Sequence, residues 1–294
     1  MLFRSPQHAS SFDCTVVIPC YNATAFLRET LACIPMGIAV IAIDDGSIDA
    51  TLAHLVTWQQ MDPEYRCVLQ HKENKGLGAA RNSGWEAAKT TWILFLDADD
   101  LLEASWADAL RPSLPLWESS TVWAVHPYAE WDGQMVRKRH VDSITQTSDL
   151  VTKRLPFSPS GSLLKKEVLH EMQGWSTDRN MVEDIDLWMR LWRAGHRPYT
   201  WSSVAWTRYR TNIGLTKDVH HHAQKVLKRI QWFIDQGWVE ADLLPSATHE
   251  IWRQVGRTHH KLGRWQEART AYALAKPTLM LFVLRTLTYL HIAL

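Results

Sequence analysis

The sequence predicts an α/β protein: a mainly parallel sheet flanked by helices, followed by a C-terminal helical extension. Three observations carry this prediction. The runs "CTVVIPCYN", "IAVIAIDDGS", "YRCVLQH" and "TWILFLDADD" are apolar on both faces, as strands covered from both sides must be. Helical patterns separate them, in "ATAFLRETLACI", "DATLAHLVTWQQM" and "GLGAARNSGWEAAK". The polar clusters fall where strands end, so Asp44, Asp45, Asn74, Asp97 and Asp99 are expected to face one crevice, the place where open α/β sheets bind ligands.

In the first β-α unit, Pro19 is expected to break the β-branched run, and Asn22 is placed to cap a helix carrying Phe26, Leu27, Leu31 and Ile34. The second unit repeats apolar residues at Leu52, Leu55, Val56 and Trp58. From about residue 121 the pattern becomes mixed. "TVWAVHPYAEWDGQMVRKRHV" reads as two strands around an Asp132-Gly133 turn. After "SPSGS" come two predicted helices, "LLKKEVLHEM" and "VEDIDLWMRLWRAG", the second closed by Gly195. Beyond Thr216 the chain reads as helical. Gly263 divides "HEIWRQVGRTHHKLGRWQEARTAYALA" into two helices, and Trp252, Gly256, Ala268, Tyr272 and Ala275 have the spacing of one tetratricopeptide-type hairpin.

Composition narrows the function. Lys and Arg total 32 against 31 Asp and Glu, so no long-range field draws in nucleic acid or an anionic membrane. The four cysteines form no C-x-x-C pair and are expected to be reduced and buried, as in a cytoplasmic protein. Neither a signal peptide nor a membrane span is legible. Most of the 16 tryptophans are expected in the core. The tail 278–294, "TLMLFVLRTLTYLHIAL", is apolar nearly all round, with Arg285, Thr288 and His291 as a narrow polar stripe. Two dispositions are open for it: peripheral contact with a membrane interface, or packing on the preceding helical pair. His220, His221 and His222 are adjacent and therefore point apart on a helix, which reads as a solvated helix start rather than a metal site.

Three acidic clusters can carry chemistry. In "DADD", Asp97 and Asp99 can lean toward one divalent cation; alternatively Asp99 or Asp100 caps a helix over "LLEASWADAL". In "IDDGS" a carboxylate can accept hydrogen bonds from a base or ribose, or the segment is a turn and cap. In "VEDIDLW", Glu183, Asp184 and Asp186 crowd one helical turn, which can raise the pKa of one of them; acids are also simply enriched at helix N-termini. Between them, the glycines of "KENKGLGAARN" can let backbone N–H groups approach an anion, beside Arg81, or make an ordinary loop.

In order along residues 14–215, "TVVIPCYNA", "IAIDDGSIDAT", "NKGLGAARNSGWEAA", "WILFLDADD" and "GSLLKKEVLHEMQGWSTDRNMVEDIDLWMRL" resemble the family 2 glycosyltransferases. The resemblance implies a GT-A fold over 1–217, with a Rossmann-like nucleotide-binding half (14–113) and an acceptor half (114–217). The helical extension over 218–294 follows it. It implies that Pro19, Tyr21 and Asn22 contact the nucleoside, with Tyr21 stacking on the base, and that Asp45 reads the base edge. Arg81 matches a basic residue near the nucleotide. Asp97 and Asp99 match the D-x-D motif, with Asp99 the direct ligand of Mn²⁺ or Mg²⁺, and Asp184 matches the catalytic base, with Glu183 beside it. Arg210 of "TRYRTNIGLT" matches a phosphate contact, although Asn212 stands where the family commonly has histidine. The implied reaction is inverting transfer from a nucleoside diphosphate sugar, a UDP-sugar favoured, to the hydroxyl of a glycan or lipid-linked acceptor in polysaccharide or glycolipid assembly. A dinucleotide oxidoreductase would need G-x-G-x-x-G after the first strand, which the chain lacks. A catalytically silent carbohydrate-binding or scaffolding protein would differ by binding nucleotide sugar weakly or by not depending on metal.

Overall fold

The computed structural model describes residues 12–125, 128–131, 136–139, 144–152, 158–180, 182–201, 207–210, 218–276, 279–289 and 291. The chain begins with β1 (Cys14–Cys20), α1 (Thr24–Ala32), β2 (Ala39–Asp44), α2 (Thr51–Gln60), β3 (Arg66–Gln70), α3 (Leu77–Ala87) and β4 (Trp92–Phe95). There follow β5 (Leu101–Leu102), α4 (Trp106–Ser113), β6 (Trp123–Val125), β7 (Tyr128–Trp131), β8 (Val136–Arg139), α5 (Asp149–Thr152), β9 (Leu163–Lys165) and α6 (Lys166–Glu171). Next come α7 (Glu183–Arg193), β10 (Tyr199–Thr200), β11 (Thr207–Arg210) and the helices α8 (Val219–Asp235), α9 (Leu244–Lys261), α10 (Trp265–Leu274) and α11 (Leu279–Tyr289). Two compact units result. One comprises Met1–Ser143, Pro156–Arg179 and Glu183–Gly214; the other comprises Ile144–Leu155, Asn180–Val182 and Leu215–Leu294.

The first unit is built on a seven-stranded sheet in the order β10-β6-β9-β4-β1-β2-β3. Only β9 runs against the others. The chain steps from β1 to β2 to β3 in one direction and then places β4 on the far side of β1, so the winding reverses between β1 and β4. Ligand crevices in such sheets open at that reversal. Every residue of β1 and β2 is buried, which explains their unbroken apolar character. Gly84 lets α3 lie close on the sheet, since a Cβ there would come within 2.4 Å of a Val17 methyl.

Pro19 does not break β1, contrary to the sequence expectation: it sits within the strand, opposite Ile43 of β2. The reason is directional. The Val17 carbonyl bonds toward β4, accepting from Leu96, whereas that of Cys20 bonds toward β2, accepting from Asp45. By strand alternation Pro19 therefore faces β4, where the ladder has already ended at Val17 and Phe95, and its missing N–H costs no bond.

Two further expectations are revised and one is met. The stretch around residue 125 gives β6 to the large sheet and β7 to a second sheet, ordered β5-β11-β7-β8. β7 and β8 do pair antiparallel, Trp131 opposite Val136, while the Asp132-Gly133 turn lies outside the described residues. "LLK" of the predicted helix is instead strand β9, inserted between β4 and β6, and only α6 is helical. α7 does end at Gly195, in left-handed geometry, with the His196 N–H returning to the Leu191 carbonyl.

In the second unit, Ala223, Trp252, Val255, Ala268, Ala271, Tyr272, Leu281 and Leu284 form the core of the terminal helices. Tyr272 of α10 lies on Gly256 of α9 so closely that a Cβ would come within 2.3 Å of its ring. Asp218 caps α8 by accepting from the His221 N–H at 2.9 Å. His221 and His222 are exposed, while His220 turns onto Trp252 and His259. α11 buries Leu281 and Leu284 and exposes Met280, Phe282 and Val283. Thr288, expected in a polar stripe, is fully buried instead, because its hydroxyl is satisfied internally by the Arg285 carbonyl at 2.6 Å. Among the described residues no helix is long and apolar enough to cross a membrane.

Candidate active site

The loops after β1, β2, β3 and β4 gather at the sheet reversal. Tyr21 leaves β1 with 40% of its surface exposed. Asn22 follows in left-handed conformation (φ 48°), which asparagine tolerates better than most residues. It does not cap α1. Its N–H donates to Ser47 Oγ and its Oδ1 accepts from the Ile48 N–H, each at 3.0 Å, stitching this loop to the turn after β2. The capping carboxylate is Asp49, which accepts from the Thr24 hydroxyl at 2.7 Å, the Thr24 N–H and the Thr51 N–H. Desolvation works to raise its pKa, but the hydrogen bonds from Thr51 and Thr24 prevail and bring it down to about 2.

Asp44 and Asp45 end β2 with their side chains buried. Asp44 accepts from the Ser47 N–H at 3.3 Å, and its Oδ2 has no hydrogen-bond partner among the described residues. Asp45 is held by three donors: His71 Nδ1 at 2.6 Å and the Lys75 N–H at 2.9 Å on Oδ1, and the Gly76 N–H at 2.8 Å on Oδ2. So the backbone N–H groups of the glycine loop approach an anion, but that anion is a carboxylate of the protein itself. Gly46 makes the approach possible, because at φ 73° a Cβ would stand 2.5 Å from the Glu73 carbonyl carbon. His71, whose Nε2 lies 2.9 Å from Ser83 Oγ, was not singled out from sequence. Its only signal was its place at the end of the third strand, corresponding to Asp44 and Asp45 at the end of the second.

The centre of the site is Arg81 on α3, 1% exposed. Its Nη2 donates to Asp97 Oδ1 at 2.8 Å and its Nη1 to Glu183 Oε1 at 2.9 Å, and the guanidinium lies over the Trp175 ring at 4.6 Å. Each terminal nitrogen thus donates to a carboxylate, one after β4 and one at the start of α7. Next along the helix, Asn82 accepts from the Trp175 N–H and donates to the Trp175 carbonyl, at 2.8 and 2.9 Å, fixing the ring beneath Arg81. Gly78 admits this segment, since a Cβ there would meet the Ser176 carbonyl. Trp175 and Trp188 pack edge-on, and Trp188 stacks on Trp123, so these indoles form the wall behind the acidic residues.

At the start of α7 the three acids separate by partner. Glu183 pairs with Arg81, and Asp186 pairs with Arg190 at 2.7 Å. Asp184 accepts from its neighbour's N–H, that of Ile185, at 2.7 Å. Burial and then the charge of Glu183 push its pKa up to about 7, against the opposing Ile185 N–H and Arg81.

Asp97 and Asp99 follow β4. The Asp97 N–H donates to Ser160 Oγ at 2.8 Å, which places the "SPSGS" segment against the strand end. The capping alternative for Asp99 and Asp100 fails, because residues 101–102 form β5 and α4 begins only at Trp106. Among the described residues no group of three or more His, Cys, Asp or Glu could hold a metal by itself. Two hard carboxylate donors fit a divalent cation that takes its remaining oxygens from a substrate diphosphate. Arg210 lies on β11, with its backbone opposite Trp131, and Asn212 lies outside the described residues.

Known proteins share this arrangement of elements. The profile described as Glycosyl transferase family 2 matches residues 15–171. The pre-mycofactocin glycosyltransferase of Mycobacterium tuberculosis is 30% identical over 204 residues, covering 66% of this chain and 42% of that relative. The chain therefore spans less than half the length of that relative. Among solved structures, Staphylococcus aureus TarS 1–349 in complex with UDP-GlcNAc aligns with TM-score 0.56 at 16% identity, over 95% of this chain and 88% of that one. The mannosyltransferase PcManGT from Pyrobaculum calidifontis, in complex with GDP-Man and Mn²⁺, aligns with TM-score 0.59 at 18% identity, over 98% and 85%.

Proposed function

The chain belongs to glycosyl transferase family 2, and from that premise we propose that it transfers a sugar from a nucleoside diphosphate sugar to an acceptor hydroxyl with inversion at the anomeric carbon. The observation that carries the reading is the Arg81 node. One buried cation ties Asp97, of the donor-side D-x-D motif, to Glu183, neighbour of the base Asp184.

Asp184 takes the proton of the acceptor hydroxyl as the acceptor oxygen attacks the anomeric carbon. The bond from that carbon to the diphosphate breaks on the opposite face, and its electron pair leaves with the diphosphate. A pKa near 7 suits this task, because the group is both available as a base and a strong enough one at neutral pH. Glu183, committed to Arg81, contributes the charge that helps keep Asp184 basic. Asp99, with Asp97, would hold Mn²⁺ or Mg²⁺, which when bound supplies positive charge to the departing diphosphate. The exposed ring of Tyr21 suits stacking on the base, with Pro19 and Asn22 shaping that loop, Asp45 reading the base edge and Arg210 meeting phosphate.

The acceptor is a glycan or a lipid-linked saccharide, in polysaccharide or glycolipid assembly. The exposed Met280, Phe282 and Val283 on α11, beside Arg285, support a membrane-interface contact for the second unit. The test is thermal stabilisation by UDP, GDP, dTDP and CDP, with and without Mn²⁺, in wild type and Asp99→Ala. A metal-dependent rise lost in the variant supports the donor site. No rise with any nucleotide in a folded sample points to a silent scaffold.

A further inference from the structure

A carboxylate offers about four acceptor directions, two on each oxygen. In Asp45, Oδ1 has both filled, by His71 Nδ1 and the Lys75 N–H, and Oδ2 has one filled, by the Gly76 N–H. One direction, on Oδ2, remains among the described residues. With the carboxylate as acceptor, His71 carries its proton on Nδ1, and its Nε2 takes the Ser83 hydroxyl as donor. The ring is thereby held at both ends.

We propose that His71 sets the base specificity of the donor site: by filling Oδ1 of Asp45 it leaves a single acceptor, which selects a pyrimidine dione, uracil or thymine, over guanine and cytosine. This rests on the reading that Asp45 meets the base edge. Uracil and thymine present one N3–H between two carbonyls, matching one free acceptor. Guanine presents two parallel donors, N1–H and N2–H, which a carboxylate satisfies with one oxygen each; here the second donor would be left unpaired. Cytosine turns its N3 lone pair toward the carboxylate, and the two repel. Without the His71 donor, Oδ1 would keep only the Lys75 N–H and Oδ2 only the Gly76 N–H. Each oxygen would then have one free direction, the arrangement guanine requires. Ser83, holding the far side of the imidazole, is a positioning residue in the same device.

Calorimetric titration of UDP, GDP and CDP in the presence of Mn²⁺ tests this on wild type, His71→Ala, His71→Asn and Asp45→Asn. Wild type is expected to prefer UDP over GDP by at least about tenfold, the worth of one unpaired donor in a desolvated site. In His71→Ala the preference should shrink to about threefold or less, while His71→Asn, which keeps a donor, should retain it. The ratio of two affinities in one protein is not moved by a general loss of stability. GDP binding to wild type as tightly as UDP, with Asp45→Asn abolishing both, would overturn the role of His71 and leave the donor site standing. UDP affinity unchanged in Asp45→Asn would overturn the inference together with the base-reading role it rests on. An undiminished UDP preference in a folded His71→Ala would overturn it as well.

Discussion

Replacing Asp184 by asparagine should stabilise the protein at neutral and alkaline pH while removing transfer. The side chain is held at a pKa of about 7 against an ordinary value of 3.8, chiefly by burial and then by Glu183. Because the folded-state value is raised, Asp184 costs nothing below about pH 4. Stability falls as the pH rises from there to about 7, and the full cost is carried above. Each tenfold change in proton affinity is worth about 1.4 kcal/mol, so holding the ionised form costs at most about 4 kcal/mol. Asp184 retains partial exposure, which screens the charge and brings the expected gain to about 2 kcal/mol. The amide oxygen of asparagine can still accept from the Ile185 N–H, so the contact within the helix turn survives. Urea unfolding followed by tryptophan fluorescence, with wild type and Asp184→Asn at pH 4 and pH 8, measures the difference. Near-equal stability is expected at pH 4, with the variant ahead at pH 8 and transfer lost at both. If the two proteins keep the same stability difference at pH 4 and pH 8, the raised proton affinity of Asp184 is refuted, and with it the argument that burial prepares the base.

Arg81→Gln removes the cation that opposes the raised pKa of Asp184, so the acidic limb of kcat/KM, expected near pH 7 in wild type, should move to higher pH. Two carboxylates lose their buried partner in the same variant, at a cost of about 3 kcal/mol read from the melting temperature. Gly46→Ala should destabilise by about 2 kcal/mol, from left-handed strain and a Cβ against the Glu73 backbone, with chemical denaturation as the measure. In the second unit Gly256→Ala should cost about 2 kcal/mol through collision with the Tyr272 ring, and Tyr272→Leu added to it should recover part of that loss. Additive costs in this double mutant would mean that the two residues do not share the contact.

The parallel sheet was legible because both faces of its strands are buried, and continuous apolar runs such as "IAVIAID" record that directly. Pro19 misled because a one-dimensional reading cannot tell which neighbour a strand residue faces. Asn22 misled for a related reason: asparagine suits a cap and a left-handed turn equally, and the competing cap, Asp49, is contributed by the next loop. "LLK" reads as helix by composition and becomes a strand only because β4 and β6 are there to pair with it. In the site, acidic clusters at strand ends were visible as an economic oddity of burial, yet their partners were not. Arg81 and Glu183 are joined only by the fold, and His71 became notable only once its ring was seen between Asp45 and Ser83.

The reach of Arg81 also orders assembly in time. As the chain emerges from a ribosome, α3 is complete long before α7 exists, and the pairing partner Glu183 lies 102 residues downstream. Asp97, 16 residues on, can meet the guanidinium early, but neither Glu183 nor the Trp175 ring beneath it can. A nascent chain that closed around Arg81 at that point would bury a cation with half its compensation. Native closure around Arg81 therefore needs α7, so the strand end that carries Asp97 and the helix start that carries Glu183 reach their final geometry together.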